Sequence, residues 1–449
     1  MVFPTKEIFA QKAIQGNVIP VYKRLLGDLE TPVSAYMKIA KGPYSFLLES
    51  VEGGEKIGRY SIMGRNPFMV FSARKQKIKI QEGKHVRSFQ TEGNPLDALQ
   101  TIMERFRVVE DPHLPRFCGG AVGYAGYGMV RYFDQIPQKN KDMLKLPDLY
   151  FMIADTLVVF DHIEHSIIII ANAVVEDNVD DAYNAAIEKI ASIEKDLKKS
   201  LKKEVLALGD GNTDLDLESN FKQSEFESIV IKAKDYIRAG DIFQVVLSQR
   251  FETRISRKPL DYYRALRSIN PSPYMFFLKF GNFNMVGTSP EILVRCENGS
   301  VEVRPIAGTR PRGNTQEQDL AYEKTLLEDP KECAEHIMLV DLGRNDIGRV
   351  CDYNSVHMTE FMVIERYSHV MHIVSDVLGK LKKGMNSFDV MKATFPAGTV
   401  SGAPKIRAMQ IIDELENIAR GPYAGAVGYF GFSGNMDTCI TIRTILLHK

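Results

Sequence analysis

The 449-residue chain has no tryptophan, and its five cysteines (Cys118, Cys296, Cys333, Cys351, Cys439) show no CxxC spacing. Scattered single cysteines argue against a disulfide framework and a cysteine zinc site, and they fit a reducing cytoplasm. Net charge is also lacking. The 57 acidic and 57 basic residues balance, so the chain as a whole has no drive toward nucleic acid or an anionic membrane. Any anion site has to be local. Long hydrophobic runs are missing as well. The longest, HSIIIIANAVV (165–175), is too short to span a bilayer. The opening MVFPTKEIFAQKAIQGNV has no signal-peptide core.

What is present reads as a globular protein, 44% hydrophobic and 25% charged, long enough for two or three domains. Residues 1–170 alternate short β-rich runs with turns, which predicts an antiparallel sheet system with a few helices. A Lys/Glu-rich helix is expected over 180–205, followed by a polar Gly/Asp-rich linker at 206–220. The division this suggests is 1–215 and 216–449. The second half opens with a capping box, Ser224 and Glu227, before apolar residues at helical spacing, and Gly240 ends that helix. IFQVVLSQRF (242–251) then reads as a buried strand, with further strands in PYMFFLKF, FNMVGTS, EILVRCE and VEVRPI. GAVGY occurs at 120–124 and again at 425–429. Neither copy leads into GK[ST], so neither is a phosphate loop.

Several stretches carry candidate chemistry. VRPIAGTRPRG (303–313) reads as a strand end entering a turn, where Arg304, Arg310 and Arg312 suit a small anion around an inert Ala307. In EDPKECAEHIMLVDLGRNDIGR (328–349), Asp329 is a good N-cap, Pro330 the first helical residue and Gly343 the stop. Glu332 has the spacing of a capping partner for Asp329. Glu335 shares a face with Met338, Leu339 and Leu342, so its carboxylate needs either an ion-pair partner or a cation. Glu291 follows a Ser-Pro turn, where an exposed turn acid is the plainer reading. His369 and His372, three apart on an expected helix, are a weak metal pair and more ordinary as core histidines. FPAGTVSGAPK (395–405) is a small-residue turn ending in Lys405, either a carboxylate-holding loop or a loop only. Arg443 lies within an apparently buried strand and wants an acidic partner.

Taken together and in order, SPEIL, RPIAGTRPRG, ECAEHIMLVDLGRNDIGR, YSHVMH, FPAGTVSGAPK, GAVGYFGF and DTCITIRT resemble the chorismate-utilising enzyme family. LLESVEGGEKIGRYSIMG (47–64) is similar to the N-terminal domain of its anthranilate-forming members. The resemblance implies an α+β fold of two packed, mainly antiparallel sheets with helices outside. It also implies a chorismate-binding catalytic half and an N-terminal half contributing to a tryptophan feedback site. By the same resemblance Glu335 is a magnesium ligand and Glu291 the general acid that helps the ring 4-hydroxyl leave. His372 is the histidine near the departing pyruvate. Gly308, Thr309, Thr399, Tyr423 and Arg443 are substrate-binding positions. Glu49, Ser50, Pro271, Ser272, Pro273, Tyr274, Met275 and Cys439 match the tryptophan pocket.

Two positions separate the family's activities. Aminodeoxychorismate synthases carry a nucleophilic Lys where this chain has Ala307. Isochorismate and salicylate synthases carry a Lys base where it has Gln244. Neither lysine is present, which implies amination by ammonia and loss of pyruvate to give anthranilate. The expected ammonia source is glutamine, through an amidotransferase partner, in the cytoplasm. The resemblance further implies a C-terminal segment beyond TIRTILLHK, with a Gly-rich turn, a second magnesium-binding glutamate and a lysine. A chain without that segment leaves an inactive tryptophan-binding subunit as an alternative, beside aminodeoxychorismate synthase component I.

Overall fold

The computed structural model describes residues 1–52, 56–201, 215–367 and 369–448. The strand Ser166–Val174 shows how the chain is layered. Ile167, Ile169 and Ala171 join one hydrophobic core, while Ile168 and Ile170 join another. Successive strand residues point to opposite faces. A run with no polar alternation is therefore what a strand covered on both sides requires.

Two large antiparallel sheets result among the described residues. The nine-stranded sheet runs Val2–Phe3, Val18–Leu26, Ser166–Val174, Thr156–Asp161, Tyr60–Arg65, Tyr44–Glu49, Tyr274–Phe280, Phe283–Ser289, Thr444–His448. The twelve-stranded sheet takes its candidate-site strands, Ile306–Pro311, Val370–Lys380, Ile292–Glu297 and Met436–Ile440, from the second half of the chain. Its other end comes from the first half, so both sheets cross the division expected near residue 215. The α+β architecture of two packed antiparallel sheets is as expected. Phe46, Phe276 and Leu278 of one sheet pack on Val122, Tyr124, Met152 and Val427 of the other. Helices cover the outer faces. Val179–Leu197 buries Ala186, Ile190, Ile193 and Leu197, spaced as one helical stripe.

The two GAVGY copies are neighbours. Gly120–Ala125 pairs with Ala426–Gly431, with Gly123 opposite Gly428. A Cβ on Gly123 would lie 1.9 Å from the Tyr150 carbonyl oxygen, and one on Gly428 would lie 2.1 Å from that of Asp437. Close backbone approach, not phosphate binding, explains these glycines.

Several local expectations are corrected. The helix expected over 180–205 stops at Leu197, with Lys198 as its C-cap. The linker at 206–220 lies partly outside the described residues. Its end, Glu218–Ser219, pairs with Phe251–Glu252. Ser224 and Glu227 do not cap the helix, which starts two residues earlier: Lys222 is its N-cap, its side chain accepts nothing, and only the Glu225 carboxylate caps, accepting from the Lys222 N–H at 3.0 Å. Gly240, at φ +82°, follows that helix as expected. Residues 242–251 are mostly irregular, with only Gln244–Val245 and the terminal Phe251 paired and Phe243 76% exposed. The partner of Gln244–Val245 is a two-residue strand, Gly402–Ala403, too short to support a longer ladder. No helix among the described residues is long and apolar enough to cross a membrane.

Candidate active site

The helix Pro330–Gly348 carries two of the candidate carboxylates. Asp329 caps it, accepting from the N–H groups of Lys331 and Glu332 at 3.0 and 3.3 Å, and Pro330 sits at its first position. Gly343 does not end it. A Cβ there would come within 3.1 Å of Val303, so the glycine lets the helix lie close on the neighbouring strand. Nor does Glu332 complete a capping box, since the Asp329 N–H donates to Leu326 O. The Glu332 carboxylate instead faces Gly308, with Oε2 3.2 Å from where a Cβ would stand. Gly308 itself has φ +69°, the left-handed conformation that favours glycine.

Glu335, one turn further along, is half-buried and has no ion pair among the described residues. Its Oε1 accepts from the Gln244 side-chain N–H at 2.8 Å. The amide oxygen of Gln244 is buried and has no partner there. The buried ion pair anticipated for Glu335 from pattern is thus absent among the described residues, which also hold no group of three His, Cys, Asp or Glu side chains placed for a metal. Two hard oxygen donors stand there instead, the Glu335 carboxylate and the Gln244 amide oxygen. Such donors suit magnesium, which binds through one or two carboxylates and keeps other positions for water and substrate oxygens.

Glu291 lies between the strands Phe283–Ser289 and Ile292–Glu297. Its backbone carbonyl accepts from Ile440 N at 3.0 Å, and its Oε1 accepts from the Thr399 hydroxyl at 2.9 Å. This is no exposed turn acid. Burial pushes its carboxyl up to about 8, against the opposing pull of the Thr399 hydroxyl and the Arg443 charge. Thr399 sits in the 3-10 turn Gly398–Val400 of the small-residue loop. A Cβ on Gly398 would meet Leu342 at 2.1 Å, so that turn packs directly on the Glu335 helix. Lys405, at the end of the loop, is committed to Asp346 in a 2.5 Å ion pair.

His372 is on the strand Val370–Lys380, not a helix. His369 lies in the hairpin turn before it, so the two do not share a helical face. Nδ1 of His372 is 2.8 Å from the Gly308 carbonyl and 3.1 Å from the Thr309 hydroxyl. A carbonyl only accepts, so Nδ1 carries the proton and Nε2 keeps its lone pair. Desolvation lowers the imidazole's pKa, with Arg443 acting in the same direction.

Arg443 is exposed, with φ +48°, at the bend where the chain leaves Met436–Ile440 in one sheet for Thr444–His448 in the other. It is not inside a buried strand, and it forms no ion pair among the described residues. Its charge reaches both Glu291 and His372. The three arginines of 303–313, by contrast, are all paired. Arg304 meets Glu360 and Glu365, Arg310 meets Asp329, and Arg312 meets Asp319. They make no free anion site, and Ala307 is buried opposite Ile373. Tyr367 went unnoticed in the sequence. Its ring meets that of His372 edge-on at 5.5 Å, a contact made across the hairpin that the Tyr367 N–H closes by donating to Val370 O, and no sequence signal points to it.

The positions matched to a tryptophan pocket fall in two places. Glu49, Ser50 and Met275 line a cleft with Ser61, His162 and Arg267. Glu49 is 6% exposed and receives both Arg267 N–H groups, at 2.9 and 3.1 Å, with the Tyr263 hydroxyl. Tyr274 and Cys439 point the other way, into the core between the sheets, where the Tyr274 hydroxyl donates to Asp437 at 2.8 Å. Strand alternation separates Tyr274 from Met275. Pro271, Ser272 and Pro273 form the turn leading into that strand.

Residues 44–449 match the family described as chorismate binding enzyme. Anthranilate synthase component 1 of Acetivibrio thermocellus is 49% identical over 100% of this chain and 91% of its own length. Its counterpart in Aquifex aeolicus is also 49% identical, over 95% of this chain and 87% of its own length. Among solved structures, anthranilate synthase component I from Streptococcus pneumoniae superposes with a TM-score of 0.79 at 39% identity, covering 95% of this chain and 91% of that one. The isochorismate synthase MenF of Escherichia coli shares the fold alone, at TM-score 0.69 and 15% identity over 99% of this chain and 90% of that one. With this similarity along its whole length, the chain belongs to the chorismate-binding enzyme family, in the group of anthranilate synthase component 1 proteins.

Proposed function

We propose that the chain converts chorismate and ammonia to anthranilate and pyruvate, at a site built on Glu291, His372, Glu335 and Arg443. Glu291 carries the reading. A carboxyl held protonated near neutral pH by burial, with one oxygen fixed by Thr399, suits protonation of a leaving hydroxyl. In the first step the Glu291 proton goes to the ring 4-hydroxyl, which leaves as water while ammonia nitrogen bonds to C2. In the second, the C2 proton is removed and the enolpyruvyl ether bond breaks, releasing pyruvate and an aromatic ring. His372, neutral with Nε2 free, is the base near that departure. Arg443 suits a substrate carboxylate. Gly308 and Thr309 shape the His372 side of the site, and Tyr423, whose ring lies against Arg420, is the remaining substrate-binding candidate.

Glu335, held by the Gln244 side chain, would be the carboxylate that binds magnesium. Bound there, the ion supplies Lewis-acid charge to a ring carboxylate. Ala307 supports ammonia as the nucleophile, because no side-chain amine stands at that position of the strand Ile306–Pro311. Ammonia from an amidotransferase partner, feedback by tryptophan at the Glu49 cleft and a cytoplasmic location complete the proposal. The test is anthranilate fluorescence after mixing the chain with chorismate, magnesium and ammonium, with and without tryptophan. A signal that tryptophan suppresses supports the reading. Silence in every condition overturns it in favour of an inactive tryptophan-binding subunit.

A further inference from the structure

Arg420 has no place in the chemistry above, yet it is among the most enclosed charges in the molecule. Its residue is 8% exposed and Glu416, its partner, 5%. The pair is forked, with Nε 3.0 Å from Oε2 and Nη2 2.6 Å from Oε1. Replacing a buried ion pair by apolar side chains often stabilises a protein, so burial alone does not explain this one. The remaining donors are more telling. Nη1 donates to the Val400 carbonyl at 2.7 Å, and Nη2 donates to the Val246 carbonyl at 2.6 Å. Val400 directly follows Thr399, which holds Glu291. Val246 is two residues from Gln244, which holds Glu335. Glu416 closes the ring by accepting from the Ser248 N–H and hydroxyl at 2.8 and 2.9 Å. The guanidinium carbon also lies 5.4 Å from the Tyr423 ring centroid and 4.7 Å from that of Tyr127.

We propose that Arg420 is a positioning residue which, through Val400 and Val246, sets Thr399 against Glu291 and Gln244 against Glu335, and so registers the two halves of the active site. The planar fork of arginine suits the task, since one rigid group reaches two carbonyls and a carboxylate at once. A lysine keeps the charge opposite Glu416 but cannot bridge both carbonyls.

The inference rests on the proposed chemistry, and its test separates the two. Arg420→Lys, Thr399→Val and the double variant are compared by steady-state kinetics with chorismate, magnesium and ammonium, with thermal melts to establish folding. Displacement of a reacting group by about 1 Å costs on the order of 100-fold, so Arg420→Lys is expected to lower kcat by about that factor. It should also move the alkaline limb of the pH profile in the same direction as Thr399→Val. The double variant should fall no more than about threefold below the worse single variant, because both act through one contact. Losses that multiply, with an unmoved alkaline limb, overturn the inference while leaving the activity in place. A wild-type chain that makes no anthranilate overturns the proposed chemistry, and the inference with it. If Arg420→Lys does not fold, Arg420→Gln/Glu416→Gln, with two amides for two charges, enters the same cycle under the same criteria.

Discussion

The hydroxyl of Thr399 donates to Oε1 of Glu291 across 2.9 Å, joining residues 108 apart in sequence. This bond favours the charged form of a carboxyl whose burial favours the neutral one, and burial wins. The acid is thus protonated below about pH 8 and deprotonated above it.

The pH dependence follows from that sign. Anthranilate formation should lose activity as pH rises through about 8, where Glu291 gives up its proton. Thr399→Val removes the group that lowers the Glu291 pKa, so it should push this limb to higher pH. Glu291→Gln should abolish the limb and cut kcat by roughly 100- to 10,000-fold, the usual range for a general acid. Profiles of kcat/KM against pH check all three.

Stability carries the same signature. The folded-state pKa of Glu291 lies above its ordinary value of 4.5, so its contribution to native stability is full below that value and is lost as pH rises through about 8. Glu291→Gln lacks this penalty. Its stability relative to wild type should increase between pH 5 and pH 9 in urea unfolding.

Glu335→Gln should raise the magnesium concentration needed for half-maximal rate about 10-fold or more, as expected when a carboxylate ligand is lost. Chelation of magnesium should silence the wild type and be reversed by adding the ion back. Titration of rate against free magnesium distinguishes this from a general loss of folding.

Ala307→Lys places an amine opposite Ile373, on the strand Ile306–Pro311, which now lacks a nucleophile. Anthranilate release should fall steeply, and mass spectrometry of the intact chain should detect a ligand adduct. An unmodified, fully active variant would show that this position does not face the reacting carbon.

Gly123→Ala tests the seam between the two GAVGY strands. Its Cβ would lie 1.9 Å from the Tyr150 carbonyl, a backbone atom with no freedom to rotate away. Overpacking of this kind costs about 1–3 kcal/mol, measurable as a lower urea midpoint.

Much of the fold was legible because its signals are local. The bilaterally buried run at 165–175, the caps at Asp329 and Gly240, and the strands around 274–297 declare themselves by composition and spacing. Residues 242–251 misled because an apolar run does not reveal whether a neighbouring strand exists to pair with. Glu332 misled for a related reason. Its spacing allowed a helix cap, but its carboxylate lies instead against Gly308, 3.9 Å from the Arg310 guanidinium, a cation from another element. The arginines of 303–313 looked available because their acidic partners, from Asp319 to Glu365, lie outside that stretch.

The sequence by itself determined the class of the fold, the family and most of the chemically competent side chains, since these depend on residue type, order and short-range spacing. Tertiary structure decided which of them act together. Glu291 becomes an acid only where two sheets and the 398–400 turn exclude water from it. His372 acquires its tautomer only from the Gly308 carbonyl, and Arg443 reaches both only because the chain changes sheets at that residue. Desolvation and hydrogen-bond direction are properties of neighbours brought together from far along the chain, and no local pattern encodes them.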